Sequence, residues 1–180
     1  MPAPTTPCMQ LERTKGFLRE MQDLTPDDLQ AIVVTLQASL SSVSPGTDTY
    51  KVPADMDLII LQMHGGLRIP AINSEPESIL YYLNLVPSER WIVKAQNCTV
   101  RVENIDRHHV FTDQNDMTLA TIMPPVGYPI VFPPEAPGII PANENLRATF
   151  TLQDSTTATV GGATFYQLIV SGVLVPRKGS

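Results

Sequence analysis

The sequence predicts an all-β protein: an antiparallel β-sandwich of jelly-roll-like type, with an N-terminal arm over residues 1–28, a sandwich domain over 29–180, and one or two short helices. Three observations carry that expectation. Apolar residues alternate with polar ones in several short runs, most cleanly at Leu146, Ala148, Phe150 and Leu152. Clusters of Pro, Gly, Asn and Asp separate those runs. One phrase occurs twice: Val52-Pro53-Ala54-Asp55-Met56-Asp57-Leu58 returns as Ile140-Pro141-Ala142-Asn143-Glu144-Asn145-Leu146. Each copy is a proline-led polar turn opening into an apolar run. Proline fixes φ and donates no hydrogen bond, so it suits the first residue of a strand, and Asp and Asn close the turn on their own backbone. A weaker echo joins Gly66-Leu67-Arg68-Ile69-Pro70 to Gly172-Val173-Leu174-Val175-Pro176.

The elements follow in order. Residues 1–28 are polar and sparse, with Phe17, Leu18 and Met21 on one side of a short helical stretch, which makes these three candidate protein contacts. Residues 29–43 carry two patterns. Pro26, Asp27 and Asp28 would start a helix, and Leu29, Ile32, Val33, Leu36 and Leu40 keep a helical period. As a strand, Ile32, Val34, Leu36, Ala38 and Leu40 share a face opposite Thr35, Gln37 and Ser39. The β-branched content and the Pro45-Gly46 turn favour the strand, with Tyr50–Leu61 folding back on it as a hairpin.

Leu58–Met63 is apolar on both faces and reads as central, and Gly65-Gly66 marks a bulge or sharp bend. Ser74–Leu83 can hold a helical turn or two, with Tyr81 and Tyr82 packed over an edge or against a neighbour. Trp91–Val102 reads as one long strand whose burial phase flips near Gln96-Asn97, implying a bulge. Asn104–Gln114 reads as a polar connection, and Met117–Met123 as a short apolar stretch ending at Pro124-Pro125. Tyr128–Pro141 reads as extended edge and turn. Leu146–Gln153 has one dry and one wet face, and Phe165–Val175 is a second central strand.

Composition narrows function. With 180 residues the chain can bury a sizeable core. Charged residues make up 17%, low against a usual share of about 25%, and the 17 prolines are about twice the average usage. That combination suits a turn-rich β fold and equally a surface covered by other protein. A net charge of −6 with scattered Lys and Arg argues against a nucleic-acid partner. No stretch has a signal-peptide layout and no apolar run approaches the roughly 18 residues that span a bilayer, so the expectation is a chain made in a cytoplasm, with no membrane partner.

Reactive chemistry finds little support. His108-His109, beside Asp106 and Arg107, is the best metal or catalytic candidate. Adjacent histidines on a strand point to opposite faces, and His64 is the only other histidine, so His108 and His109 read as a polar loop or a subunit contact and stand as candidate protein contacts. Cys98 lies between Asn97 and Thr99 on a strand and reads as a reduced core residue, not a thiol nucleophile. Asp55/Asp57 and Glu75/Glu77 sit in turns or at a helix start, where capping accounts for them. No cofactor and no metal ligands are expected, and the protein reads as a non-enzyme.

On the strand-leading segments Tyr50-Lys51-Val52-Pro53-Ala54-Asp55 and Ile140-Pro141-Ala142-Asn143, and on the closing strand Tyr166–Pro176, the chain resembles small structural proteins of tailed-bacteriophage heads: minor capsid, decoration or cement proteins. The resemblance covers about residues 30–176. It implies a virion protein on the capsid exterior, made in the host cytoplasm, whose partners are the major capsid protein and copies of itself in a homo-trimer or other oligomer. Two alternatives stand beside it: a head-to-tail or tail component, and a carbohydrate-binding or adhesive sandwich using Trp91, Tyr81 and Tyr82.

Overall fold

The structure is a computed structural model that describes residues 29–40, 42–68, 89–112, 116–124, 127–133, 136–154 and 164–177. Its strands are β1 (Gln30–Leu40), β2 (Gly46–Lys51), β3 (Met56–Arg68), β4 (Cys98–Asn104), β5 (His109–Val110), β6 (Met117–Thr118), β7 (Ile130–Val131), β8 (Gly138–Ile140), β9 (Asn145–Leu152) and β10 (Thr164–Pro176). One α-helix, α1 (Glu89–Gln96), precedes β4, and a 3-10 turn spans Leu119–Ile122.

The strands form two antiparallel sheets packed face to face. The first runs β1-β10-β3-β7, with β8 also on β3; the second runs β2-β9-β4-β5, with β6 also on β4. The pairing is nested: β1 with β10, β2 with β9, β3 with β7 and β8, β4 with β5 and β6. This is one long hairpin rolled over itself so that successive arms fall in alternate sheets, the jelly-roll topology. The fold class expected from the sequence holds.

The core lies between the sheets. Alternate residues of β1 (Val34, Leu36, Ala38, Leu40), β9 (Leu146, Ala148, Phe150, Leu152) and β10 (Tyr166, Leu168, Val170) point into it and are buried. Leu119, Ile122 and Met123 on and after the 3-10 turn close one side.

Four expectations need correction. Residues 30–40 form a strand, but not the near half of a hairpin with Tyr50–Leu61. β1 pairs along its whole length with β10, from Gln30 opposite Leu174 to Leu40 opposite Thr164. Tyr50–Leu61 is broken at Val52-Pro53, where the chain leaves the second sheet for the first, so it has no continuous edge to offer an eleven-residue strand.

Trp91–Val102 is not one bulged strand. Glu89–Gln96 is helical and the strand starts at Cys98, so the flip of phase is a change of period. Glu89, Arg90, Lys94, Ala95 and Gln96 are all good helix formers, and Ala95 is fully buried with Ile92 against the core, three residues apart on one helix face.

Gly65-Gly66 does not bend the chain; β3 runs straight through to Arg68. Gly65 lies where packing is tight: a Cβ there would lie 2.7 Å from Leu119 Cδ1 and 3.1 Å from its carbonyl oxygen. The bulge sits nearby instead. Ser171 pairs with Gln62 and Gly172 with Ile60, which leaves Leu61 as the extra residue. Finally, the connection after Asn104 is partly structured: His109 and Val110 return as β5 on β4, and Phe111 N–H donates to Val102 O at 2.8 Å.

Candidate functional site

The two copies of the repeated phrase are neighbours in space. Residues 52–55 carry the chain from β2 to β3, and residues 141–144 carry it from β8 to β9, both between sheets at the same end of the sandwich. They bond each other: Val52 N–H donates to Glu144 O (3.0 Å), Asn143 N–H to Val52 O (3.2 Å), and Ala142 N–H to Asp57 Oδ1 (2.7 Å). Asn143 holds φ 65°, a left-handed conformation that Asn tolerates.

The β4–β5 turn joins this end through ionic contacts. Asn104 Oδ1 accepts from the backbone N–H groups of Asp106 and Arg107, and Asn104 Nδ2 donates to Glu144 Oε2 at 2.6 Å. Arg107 Nε lies 2.7 Å and 2.9 Å from the two Glu144 carboxylate oxygens. Asp106 Oδ2 accepts from the backbone and side chain of Asn145. One strand over, Glu103 meets Arg147 and, at 3.4 Å, Arg101. Burial would raise the Glu103 carboxyl, but the hydrogen bond and charge of Arg147, with the charge of Arg101, outweigh it, and its pKa lies below the ordinary value. These groups satisfy each other and tie three turns together.

His108 and His109 stand at the edge of this cluster. His108 occupies the turn with φ 53°, and only His109 belongs to a strand. The His109 ring meets Phe111 edge-on at 4.7 Å, and Phe111 meets Phe132 edge-on at 6.1 Å. Burial lowers the His109 pKa, which favours the neutral ring. Among the described residues no three His, Cys, Asp or Glu side chains come together in a metal-binding group. Cys98 is fully buried and burial pushes its thiol up to about 12, so at neutral pH it stays protonated. Phe17, Leu18, Met21, Tyr81 and Tyr82, and the side chain of Trp91, lie outside the described residues.

No family model, curated protein or solved structure matches this chain.

The surfaces of the two sheets differ in kind. On the outward face of the second sheet, register places Thr47, Thr149 and Arg101 in one row, Thr49, Arg147 and Glu103 in the next, and Thr118, Thr99 and Thr151 in a third. Threonine and paired charges make that face wet. On the first sheet, one outward row reads Ala31, Val173, Ile59, Ile139 across four strands; Ala31 is exposed, Val173 and Ile139 are half-buried, and Ile59 is buried. The next reads Val33, Ser171, Gln62, Val131; the row after it reads Thr35, Ile169, His64, and beyond that Gln167 Nε2 donates to Gln37 Oε1, so the apolar residues gather toward the Ala31 end of this face. Val33 is 67% exposed, Val131 64% and the bulged Leu61 47%. An exposed apolar patch on this outward face, at Val33, Leu61 and Val131, is the feature the sequence reading missed. Its signal was present, because Leu58–Met63 and Phe165–Val175 are apolar on both faces; in a two-layer sandwich only one of those faces can meet the core.

Lys94 was also missed. It is 3% exposed, and its Nζ donates to Thr164 Oγ1 at 2.6 Å, which pins α1 to the start of β10. Burial lowers its pKa.

Proposed function

We propose that this chain is a non-enzymatic structural protein of a virion that seats the outward face of its first sheet against the capsid exterior and stabilises the shell by bridging capsomers. The observation that carries the reading is the contrast between the sheets: Val33, Leu61 and Val131 stand exposed on one outward face, while threonines and ion pairs cover the other. Exposed apolar residues grouped on one face mark a surface that another protein covers. A small sandwich with one apolar patch makes modest contacts singly. Copies repeated over a lattice, or joined in an oligomer, gain strength through effective concentration. The tied turns and the protonated Cys98 fit a rigid scaffold. The net charge of −6 turns such a protein away from packaged nucleic acid and leaves protein as its partner.

The test is cosedimentation of the purified full chain with capsids lacking it. The double variant Leu61→Lys, Val131→Lys removes two exposed apolar contacts, each worth at least ~1.5 kcal/mol when buried, so capsid affinity falls roughly a hundredfold. Thr149→Lys on the wet face leaves binding unchanged. Equal binding by the double variant and the unaltered chain would sink the proposal, as would turnover of a substrate by the purified protein. Copy number per particle separates a capsid-lattice protein from a neck or tail component.

A further inference from the structure

The edges of the two sheets are unequal. β5, β6 and β7 are two residues long and β8 three, too short to template another chain. β2 has six residues and carries Asp48 and Lys51. β1 is different: an eleven-residue edge strand, Gln30–Leu40, with no charge, no proline and no glycine. Proteins usually blunt such an edge, because its unpaired amides and carbonyls invite another strand.

Half of β1 is blunted. Gln37 N–H points away from β10 and donates to Asp48 Oδ2 at 2.9 Å, and Gly46 lies so close that a Cβ there would meet Ala38 Cβ at 2.7 Å. The other half is open. The register with β10 has no shift, so Ala31, Val33 and Thr35 share the parity of Gln37 and point their N–H and C=O groups the same way. Among the described residues nothing pairs with these three on that side, and all three are exposed.

We infer that a second copy of this chain occupies the open half of β1, by antiparallel pairing of β1 with β1 about a two-fold axis at Val33. The segment is self-complementary. Val33 faces the partner's Val33, and Ala31 faces the partner's Thr35. Three such pairs, each exchanging two bonds, give roughly six main-chain hydrogen bonds. No like charges oppose each other, and the 67% exposed Val33 side chain gains an apolar neighbour at the centre. Closure is isologous, so pairing stops at two copies and does not run on into a fibre. Asp48 then has a second role, ending the paired segment before Gln37. The paired first sheets would also bring the two exposed Val33 patches onto one side of the joined sheet. The inference stands on the edge geometry and does not depend on the virion reading.

The experiment uses the full chain in a Cys8→Ser background, since buried Cys98 is unreactive. Across a bonded antiparallel pair the Cα atoms are about 5.5 Å apart, within disulfide range. Val33→Cys therefore gives a covalent dimer under mild oxidation. Gln37→Cys, whose two copies would lie ~26 Å apart, does not. Without oxidant, sedimentation shows twice the 19.7 kDa chain mass. Val33→Pro deletes one outward amide and leaves the β10 ladder intact, so it weakens the dimer tenfold or more with an unchanged circular dichroism spectrum. Val33→Thr keeps the dimer. A monomer at every concentration up to roughly 100 μM overturns the inference, as does equal cross-linking at positions 33 and 37. A monomer whose Ala31, Val33 and Thr35 amides resist hydrogen exchange overturns it too, and assigns the edge to another segment of the same chain. The cross-linking result does not depend on Val33→Pro folding. Loss of capsid binding in Leu61→Lys, Val131→Lys leaves the Val33 cross-link unchanged.

Discussion

Tyr166→Phe should make this protein more stable. Tyr166 lies on β10 between Ala38 of β1 and Leu67 of β3, and its side chain is fully buried. Its phenol oxygen has no hydrogen-bond partner. Burial, and then the nearby Cys98, raise its pKa, as expected of a hydroxyl set among apolar groups. A buried hydroxyl without a partner costs about 1–3 kcal/mol relative to one left in water. Phenylalanine removes that cost. It gives up the contacts of a single oxygen, each worth ~0.1–0.2 kcal/mol, so the net gain is about 1 kcal/mol. For a domain of this size that raises Tm by roughly 2–4 °C. Urea unfolding followed by tryptophan fluorescence reads the change as a higher midpoint at constant slope, and calorimetry reads the Tm. A loss of about 1 kcal/mol or more would refute the reasoning. It would mean that the hydroxyl donates to a buried water, and that the core is wetter here than its side chains indicate.

Two further predictions concern the core and the bulge. The Cys98 pKa is raised from 9.0 to about 12, so its contribution to stability is complete below pH 9 and is lost as pH rises toward 12. Unfolding free energy should fall by about 1 kcal/mol between pH 8 and pH 10 through this group, and Cys98→Ala, although less stable at pH 7, should lack that part of the slope; identical slopes would rule out a buried protonated thiol. Gly172→Ala should destabilise by at least ~1–3 kcal/mol, because its Cβ would sit 2.3 Å from the Ile59 carbonyl oxygen at the bulge. Gly66→Ala, with no contact closer than 3.6 Å, should be neutral or stabilising by up to ~1 kcal/mol, and equal effects at the two positions would show the bulge to be misplaced.

Particular residues show where local pattern was enough. Leu146 to Gln153 alternates strictly, and an extended chain sends neighbours to opposite faces, so β9 and its buried side could be read directly. The same argument recovered β1 despite a competing helical period. α1 escaped because Trp91, Val93 and Ala95 imitate a strand stripe over a length at which the two periods can hardly be told apart. Gly65 was visible as an unusual residue, but what crowds it is Leu119, a contact between distant parts of the chain; nothing in the structure explains Gly66.

By itself the order of residues determined a two-layer β protein: where most strands run, which side of β9 is dry, and that two proline-led corners are built alike. These depend on φ preferences and on alternation, which act between near neighbours. Only the tertiary structure decided that β1 lies on β10, that Glu103 meets Arg147, that the two corners touch, and that the second apolar side of β3 and β10 looks outward. Each of these joins residues far apart in the chain, and strand register, which a local pattern cannot specify, sets which of them meet.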